Sequence, residues 1–265
     1  MNLIQAIIIA ITEGITEFLP ISSTAHMKFA NPMIGILPSA FTDLFEIVIQ
    51  LAAILSVVVL YYKQFFDFKK IGFYIKLIIA LIPAIIAGIL LKNYIDAMLG
   101  NLAFIAVVMI AGGIILLFID KLFTNPQIYT QDRVTNKNAF VIGCFQVLSV
   151  LFPGLSRSAA TIIGGLSQKL DRRTAAEFSF FLAVPTMLAA SVKSFWDVRK
   201  SNPEVFAKDN MFLLIIGSLV AFVVALLAIR FFISYLQSHG FKLFGYYRII
   251  AGTLVLLLIW MGIIH

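Results

Sequence analysis

Six stretches of the chain, near residues 43–62, 73–91, 102–119, 174–192, 211–233 and 245–264, run apolar long enough to cross a bilayer as helices. Crossing a hydrocarbon core of about 30 Å takes about 20 residues at a helical rise of 1.5 Å. Two further apolar stretches, 3–28 and 139–167, are interrupted. Pro20 with Ser22, Ser23, Thr24 and His26 breaks the first, and Pro153, Gly154, Ser156, Arg157 and Ser158 break the second. Each reads as a helix, a break and a second helix. Non-helical backbone at membrane depth is tolerated only where protein or a wet cavity covers it, so both are drawn as re-entrant hairpins. The pattern therefore predicts an all-α integral membrane protein with six transmembrane helices and two re-entrant helical hairpins.

The polar residues at the two breaks repeat. Glu13 precedes Pro20 by seven residues, as Gln146 precedes Pro153. Ser23 and Ser156 each follow the proline by three residues, and Glu46 and Glu177 come 26 and 24 residues after it. The chain then divides into halves of about 1–125 and 136–265 within a single membrane domain, 1–265. Each half is one hairpin plus three spans. An odd number of spans turns the second half over, giving an inverted-topology repeat, and such proteins build their site where the broken segments meet near the midplane. Superposing the halves on their prolines makes Ser23 and Ser156 counterparts.

Charge orients this drawing. Lys63, Lys69, Lys70, Lys76, Lys121, Arg133, Lys137, Lys169, Arg172, Arg173, Arg230, Lys242 and Arg248 share one side, 13 of 20 basic residues, against 6 on the other, Lys28, Lys92, Lys193, Arg199, Lys200 and Lys208, with Arg157 left at the second break. The positive-inside rule puts the richer side in the cytoplasm. The first hairpin then opens outward, and so does a cavity between the breaks. Tyr61, Tyr62, Trp196, Tyr246 and Tyr247 fall at span ends as an aromatic belt. Hydrophobic residues make up 61% and charged residues 12% of the chain, against about 45–50% and 25% in soluble domains. No basic run is interleaved with stacking aromatics, which argues against nucleic acid. The single cysteine, Cys144, excludes an internal disulfide and is expected to pack in the core.

Glu13 and Glu17 are one helical turn apart, so both carboxylates project from one face. Each costs about 2.5–3.5 kcal/mol at membrane depth, unless a cation or shared proton lies between them or a shallow hairpin leaves them solvated. Arg157 follows a Pro-Gly break and is flanked by Ser156 and Ser158, with Thr161 a turn on. A helix start offers free N–H groups and a positive dipole end to phosphate oxygens, and arginine adds a two-pronged donor. The plainer alternative makes a serine the N-cap and Arg157 a snorkelling side chain. At the first break, His26 lies three residues beyond Ser23, within reach for a base, proton donor or helix-end hydrogen bond. Glu46, Gln50 and Glu177 are candidates for support or interfacial placement, and Lys28, Asp43 and Asp171 for ordinary loop charges.

Glu13-Gly-Ile-Thr-Glu17 and Pro153-Gly-Leu-Ser-Arg-Ser-Ala-Ala-Thr161 resemble two motifs of the bacterial undecaprenyl-diphosphate phosphatases of the bacitracin-resistance type. The stretches Phe18 to His26, Phe45 to Leu51 and Glu177 to Pro185 are similar to that family too. The resemblance implies removal of the terminal phosphate of a polyprenyl diphosphate lipid, undecaprenyl diphosphate, recycling the carrier for cell-wall synthesis. It also implies a divalent cation, Mg²⁺ or Ca²⁺, a multi-pass place in the bacterial inner membrane with the site at the outer face, and is compatible with a homodimer. Carried over, Glu13 and Glu17 hold the metal or activate the attacking group, and Ser23 and His26 lie at the reacting phosphorus. Gly154, Ser156, Arg157, Ser158 and Thr161 bind the diphosphate. Ser23, the imidazole and water are each open as nucleophile; Ser23 is the expectation. Type-2 phosphatidic acid phosphatases need a histidine where this chain has Ile163. The other reading of broken inverted repeats is a transporter or flippase of an anionic lipid.

Overall fold

The computed structural model describes residues 1–264 apart from the side chain of Asp209. The chain is helical throughout its spans. In order the helices are α1 (Leu3–Thr16), α2 (Ser23–Met33), α3 (Ala40–Leu60), α4 (Tyr62–Phe65), α5 (Ile71–Leu90), α6 (Lys92–Leu99), α7 (Leu102–Leu122), α8 (Asn136–Leu151), α9 (Arg157–Ser167), α10 (Arg172–Ser201), α11 (Lys208–His239) and α12 (Lys242–Trp260). Six of them, α3, α5, α7, α10, α11 and α12, are long and apolar enough to cross a membrane, and they fall on the six apolar stretches.

The interrupted stretches are helix pairs, α1–α2 and α8–α9, each joined through its break. Gln5 Nε2 donates to the Ile34 carbonyl at 2.9 Å, tying the start of α1 to the end of α2. Asn138 Nδ2 reaches Gln168 Oε1 at 3.4 Å and does the same for α8 and α9. Each pair thus brings its two outer ends together. The open end of the first packs Ile34 and Ile36 beside Ala40 at the start of α3. The second runs into α10, whose Arg173 shares a surface depression with Leu60 and Tyr61 at the end of α3. The outer ends of the two pairs therefore lie near opposite ends of α3, and their breaks meet between them.

Helices from early and late in the chain pack against one another. α1 lies along α11 and α8 along α5, α7 pairs with α12, and α3 packs against both α11 and α10. Small residues set the close approaches, as they do where lipid removes the hydrophobic drive between helices. A Cβ on Gly14 would stand 2.8 Å from the Ala221 carbonyl oxygen, and one on Gly143 would stand 2.9 Å from Ala80 Cα. Backbone cannot swing aside as a side chain can. Gly143→Val is accordingly expected to destabilise by about 3 kcal/mol, the upper end of ordinary overpacking; a wild-type melting temperature in detergent would show the α5–α8 spacing to be adjustable.

Three expectations need correction. α10 and α11 run 30 and 32 residues, past their apolar stretches, because helical hydrogen bonding continues into water where hydropathy stops. Lys200 at that extension lies 5.0 Å over the Trp196 ring. Cys144 is exposed, because α8 buries Ala139, Ile142, Gly143 and Gln146 and turns Cys144 away from that face. Arg248, counted above as a loop charge, is 0% exposed.

Candidate functional site

The first break is made by residues 17–22, where α1 stops at Thr16 with Glu17 as its C-cap. Ser22 then caps α2, its side chain accepting from the Ala25 N–H at 3.4 Å. Ser156 caps α9 in the same way, accepting from the Ala159 N–H at 3.3 Å. Both serines hold a positive φ, 74° and 77°, which costs a non-glycine residue about 1–3 kcal/mol and survives only where surroundings impose it. The structural counterpart of Ser156 is therefore Ser22. The proline register is off by one because two residues separate Pro153 from Ser156 and only one separates Pro20 from Ser22, and Ser23 and Arg157 each stand first in their helix.

The two breaks line one cavity of about 260 Å³. Glu17, Ser22, Ser23, Gly154, Ser156 and Arg157 provide its polar wall, and Ile95, Leu99 and Met187 are among its apolar residues. Glu17 is the hub. One carboxylate oxygen, Oε2, accepts from Ser23 Oγ at 2.6 Å; the other, Oε1, accepts from Arg157 Nη2 at 2.8 Å. Arg157 Nη1 donates to the Ser179 carbonyl at 3.1 Å, and its buried Nε has no partner. A hydroxyl, its acceptor carboxylate and an arginine at a helix start are thus held together from residues 140 apart in sequence.

Other expected residues take different places. Ser158 and Thr161 are fully buried and are not among the residues lining the cavity. Ser158 Oγ donates to the Leu19 carbonyl at 2.8 Å, binding the second break to the first. Thr161 Oγ1 lies 2.6 Å from Ser179 Oγ and locks α9 to α10. They were expected to touch a diphosphate; they instead hold the residues that face the cavity. Gly154 does line it, at φ 98°, with Ile105 O 2.5 Å from where a Cβ would sit. Only glycine accommodates both that conformation and that approach. His26 is not among the lining residues either. Its Nδ1 meets the Ser22 carbonyl and its Nε2 the Tyr247 hydroxyl, each at 2.7 Å, and the ring stacks on Tyr247 at 5.6 Å between centroids. Tyr247 therefore serves as a partner for the imidazole.

Glu13 lies one turn behind Glu17, 0% exposed, and neither carboxylate oxygen has a hydrogen-bond partner. Glu46 is also buried. It takes Asn31 Nδ2 at 2.6 Å and Lys28 Nζ at 3.4 Å, so Lys28 is paired and the end of α2 is fastened to α3. Glu177 instead pairs with Arg173 one turn earlier at 2.9 Å. Gln50 reaches the cavity wall. Asp171 caps α10 through the Thr174 N–H at 3.1 Å.

Arg248 is the residue that sequence reasoning missed. Its guanidinium donates to Pro20 O at 2.9 Å, Leu155 O at 2.7 Å, Gly154 O at 2.9 Å and Met109 O at 3.1 Å. Its only signal in the sequence is its place three residues into the apolar stretch 245–264, where an arginine is expensive and needs partners, but so near a span end it reads equally well as a loop charge.

The amino-acid sequence is matched by known proteins over nearly the whole chain. The profile of the bacitracin resistance protein BacA family matches residues 6–254. A protein of Flavobacterium johnsoniae named undecaprenyl-diphosphatase is 55% identical over 259 residues, 97% of this chain and 96% of that protein. One of the same name from Porphyromonas gingivalis is 47% identical, covering 99% of each. Because the matched region contains both breaks and every residue lining the cavity between them, the chain belongs to the bacitracin resistance protein BacA family.

Proposed function

We propose that this protein hydrolyses undecaprenyl diphosphate to undecaprenyl phosphate and inorganic phosphate, returning the lipid carrier to cell-wall synthesis. The observation that carries the reading is Glu17 bridging Ser23 and Arg157 inside one partly apolar cavity. In it, Arg157 and the N–H groups at the start of α9 bind the diphosphate oxygens, where a helix N-terminus and a guanidinium both favour anions. Ser23 Oγ attacks the terminal phosphorus and Glu17 Oε2 accepts its proton across the 2.6 Å contact. The bond to the bridging oxygen breaks and undecaprenyl phosphate leaves; water then hydrolyses the phosphoserine, and the proton returns to Ser23. Positioning and neutralisation of the shifting charge supply most of the acceleration in phosphoryl transfer. Purified protein should release phosphate from undecaprenyl diphosphate and lose that activity in Arg157→Ala. A lipid transporter would release none.

Mg²⁺ or Ca²⁺ held by Glu13 and Glu17 belongs to the same proposal. The donors fit a hard cation: Glu13 offers two buried, unpartnered oxygens, and Mg²⁺ commonly takes one or two carboxylates together with substrate phosphates. Glu17 already has Arg157 as a counter-charge, and among the described residues no three His, Cys, Asp or Glu side chains cluster. Glu13 and Glu17 would hold the cation, and substrate phosphate oxygens would complete its ligands. When bound it would neutralise phosphate charge. Glu13→Gln is expected to raise the metal concentration needed for half-maximal activity by at least about tenfold while keeping the fold, since it removes one charged ligand of a small set. Unchanged metal dependence would remove Glu13 from the site.

The inverted, re-entrant drawing is supported by the outer ends of the two helix pairs lying near opposite ends of α3 and by the packing of early helices against late ones. The cavity wall includes α6, which connects the ends of α5 and α7 near Lys92, the side assigned outward by loop charge. That supports a site at the outer face of the bacterial inner membrane.

A further inference from the structure

We infer that Arg248 is the positioning residue that fixes the two breaks against each other, and so sets the separation of Ser23 from Arg157. The role rests on the reaction proposed above. Three observations carry it. First, four of the five guanidinium N–H donors are placed, all on backbone carbonyls and none on a carboxylate. Second, those carbonyls come from separate parts: Pro20 in the first break, Gly154 and Leu155 in the second, and Met109 of α7 as the anchor. One nitrogen, Nη1, donates across the junction to both breaks, at 2.9 and 2.7 Å. Third, the slot for the guanidinium is shaped by glycines. A Cβ on Gly112 would run into the guanidinium, with Arg248 Cζ at 2.9 Å, and a Cβ on Gly113 would stand 2.9 Å from Arg248 Cβ. Gly245, one turn before Arg248 on α12, lets that helix lie on α7, where its own Cβ would stand 2.9 Å from Gly113 O.

The chemistry explains why arginine serves here. Pro20, Gly154 and Leu155 lie outside any helix, so their carbonyls have no ladder partner, and inside a membrane water does not supply one. A planar fork can serve carbonyls on several sides at once; an ammonium is a point donor with three N–H groups. The two breaks are otherwise joined across the bundle by Ser158 to Leu19 and Glu17 to Arg157. Arg248 adds the connection that runs to a third element, α7, and so references both breaks to the body of the protein. The group touches no reacting atom. It acts through the backbone that carries Ser22, Ser23, Ser156 and Arg157.

Arg248→Lys keeps the charge and removes the fork. Gly112→Ala keeps the fork and crowds its slot, and it serves if the first variant does not fold. In full-length protein in detergent, each is expected to lower kcat for phosphate release at least about 30-fold while KM changes less than about threefold, because Arg157 still binds but no longer faces Ser23 and Glu17 correctly. Backbone amide exchange should quicken in both breaks together, at residues 21–25 and 155–159, while α3 and α10 stay protected. A merely structural residue would loosen α7 and α12 or the whole bundle and move KM as much as kcat. Wild-type kcat in either variant, or faster exchange in one break alone, overturns the inference. If the wild-type protein releases no phosphate, the proposed reaction fails, and the paired exchange of the two breaks still tests the clamp.

Discussion

Arg157→Lys is expected to be nearly as damaging as Arg157→Ala, lowering kcat/KM by about 30-fold to several thousand-fold, as the loss of one partner of a desolvated charge pair costs about 2–5 kcal/mol. The reason lies in how the guanidinium is used. Nη1 is fixed on the Ser179 carbonyl, Nη2 on Glu17, and the buried Nε is unpartnered. A lysine supplies one point of charge and cannot hold Ser179, meet Glu17 and present a flat donor edge to a phosphate at the same time. The loss should fall on kcat as well as KM, because charge on the transferring phosphoryl group shifts in the transition state. Steady-state phosphate release decides it. Turnover within about twofold of wild type would leave Arg157 supplying only general positive potential, and the phosphate-cradle reading would be wrong.

The second large effect is at Glu17. Its side chain is 6% exposed beside an Arg157 that is 12% exposed, and removing one member of a buried ion pair typically costs about 3–5 kcal/mol. Glu17→Ala should therefore lose both stability and activity. Glu17→Gln separates the two. It keeps a side chain that can accept from Ser23 or Arg157, so the fold should persist. It lacks the negative charge and the basicity to take the Ser23 proton, so turnover should fall by about 100-fold to 10,000-fold, the usual worth of a positioned base. Thermal unfolding and phosphate release on the same preparations give both readings. A Glu17→Gln protein as active as wild type would exclude Glu17 as the proton acceptor and leave it a purely structural tie between the hairpins.

Much of this was written in the sequence. Periodicity and length placed six spans and two broken segments, because a membrane admits few alternatives for an apolar stretch of given length. The cost of polar groups at depth singled out Glu13, Glu17 and Arg157. Which groups face a substrate was not legible in the same way. Ser156, Ser158 and Thr161 are three hydroxyls within six residues, yet one lines the cavity and two are buried ties to Leu19 and Ser179. A helix turn of about 100° per residue sends neighbours in different directions, and only the elements packed around it say which direction is the cavity. Arg248 shows the same limit from the other side. Sequence determines that an arginine stands at the start of an apolar helix, where a loop charge and a buried clamp look alike. The tertiary structure brings Pro20, Met109, Gly154 and Leu155 around it, because four carbonyls from three distant segments become one binding site only when α7, α12 and both breaks are packed together.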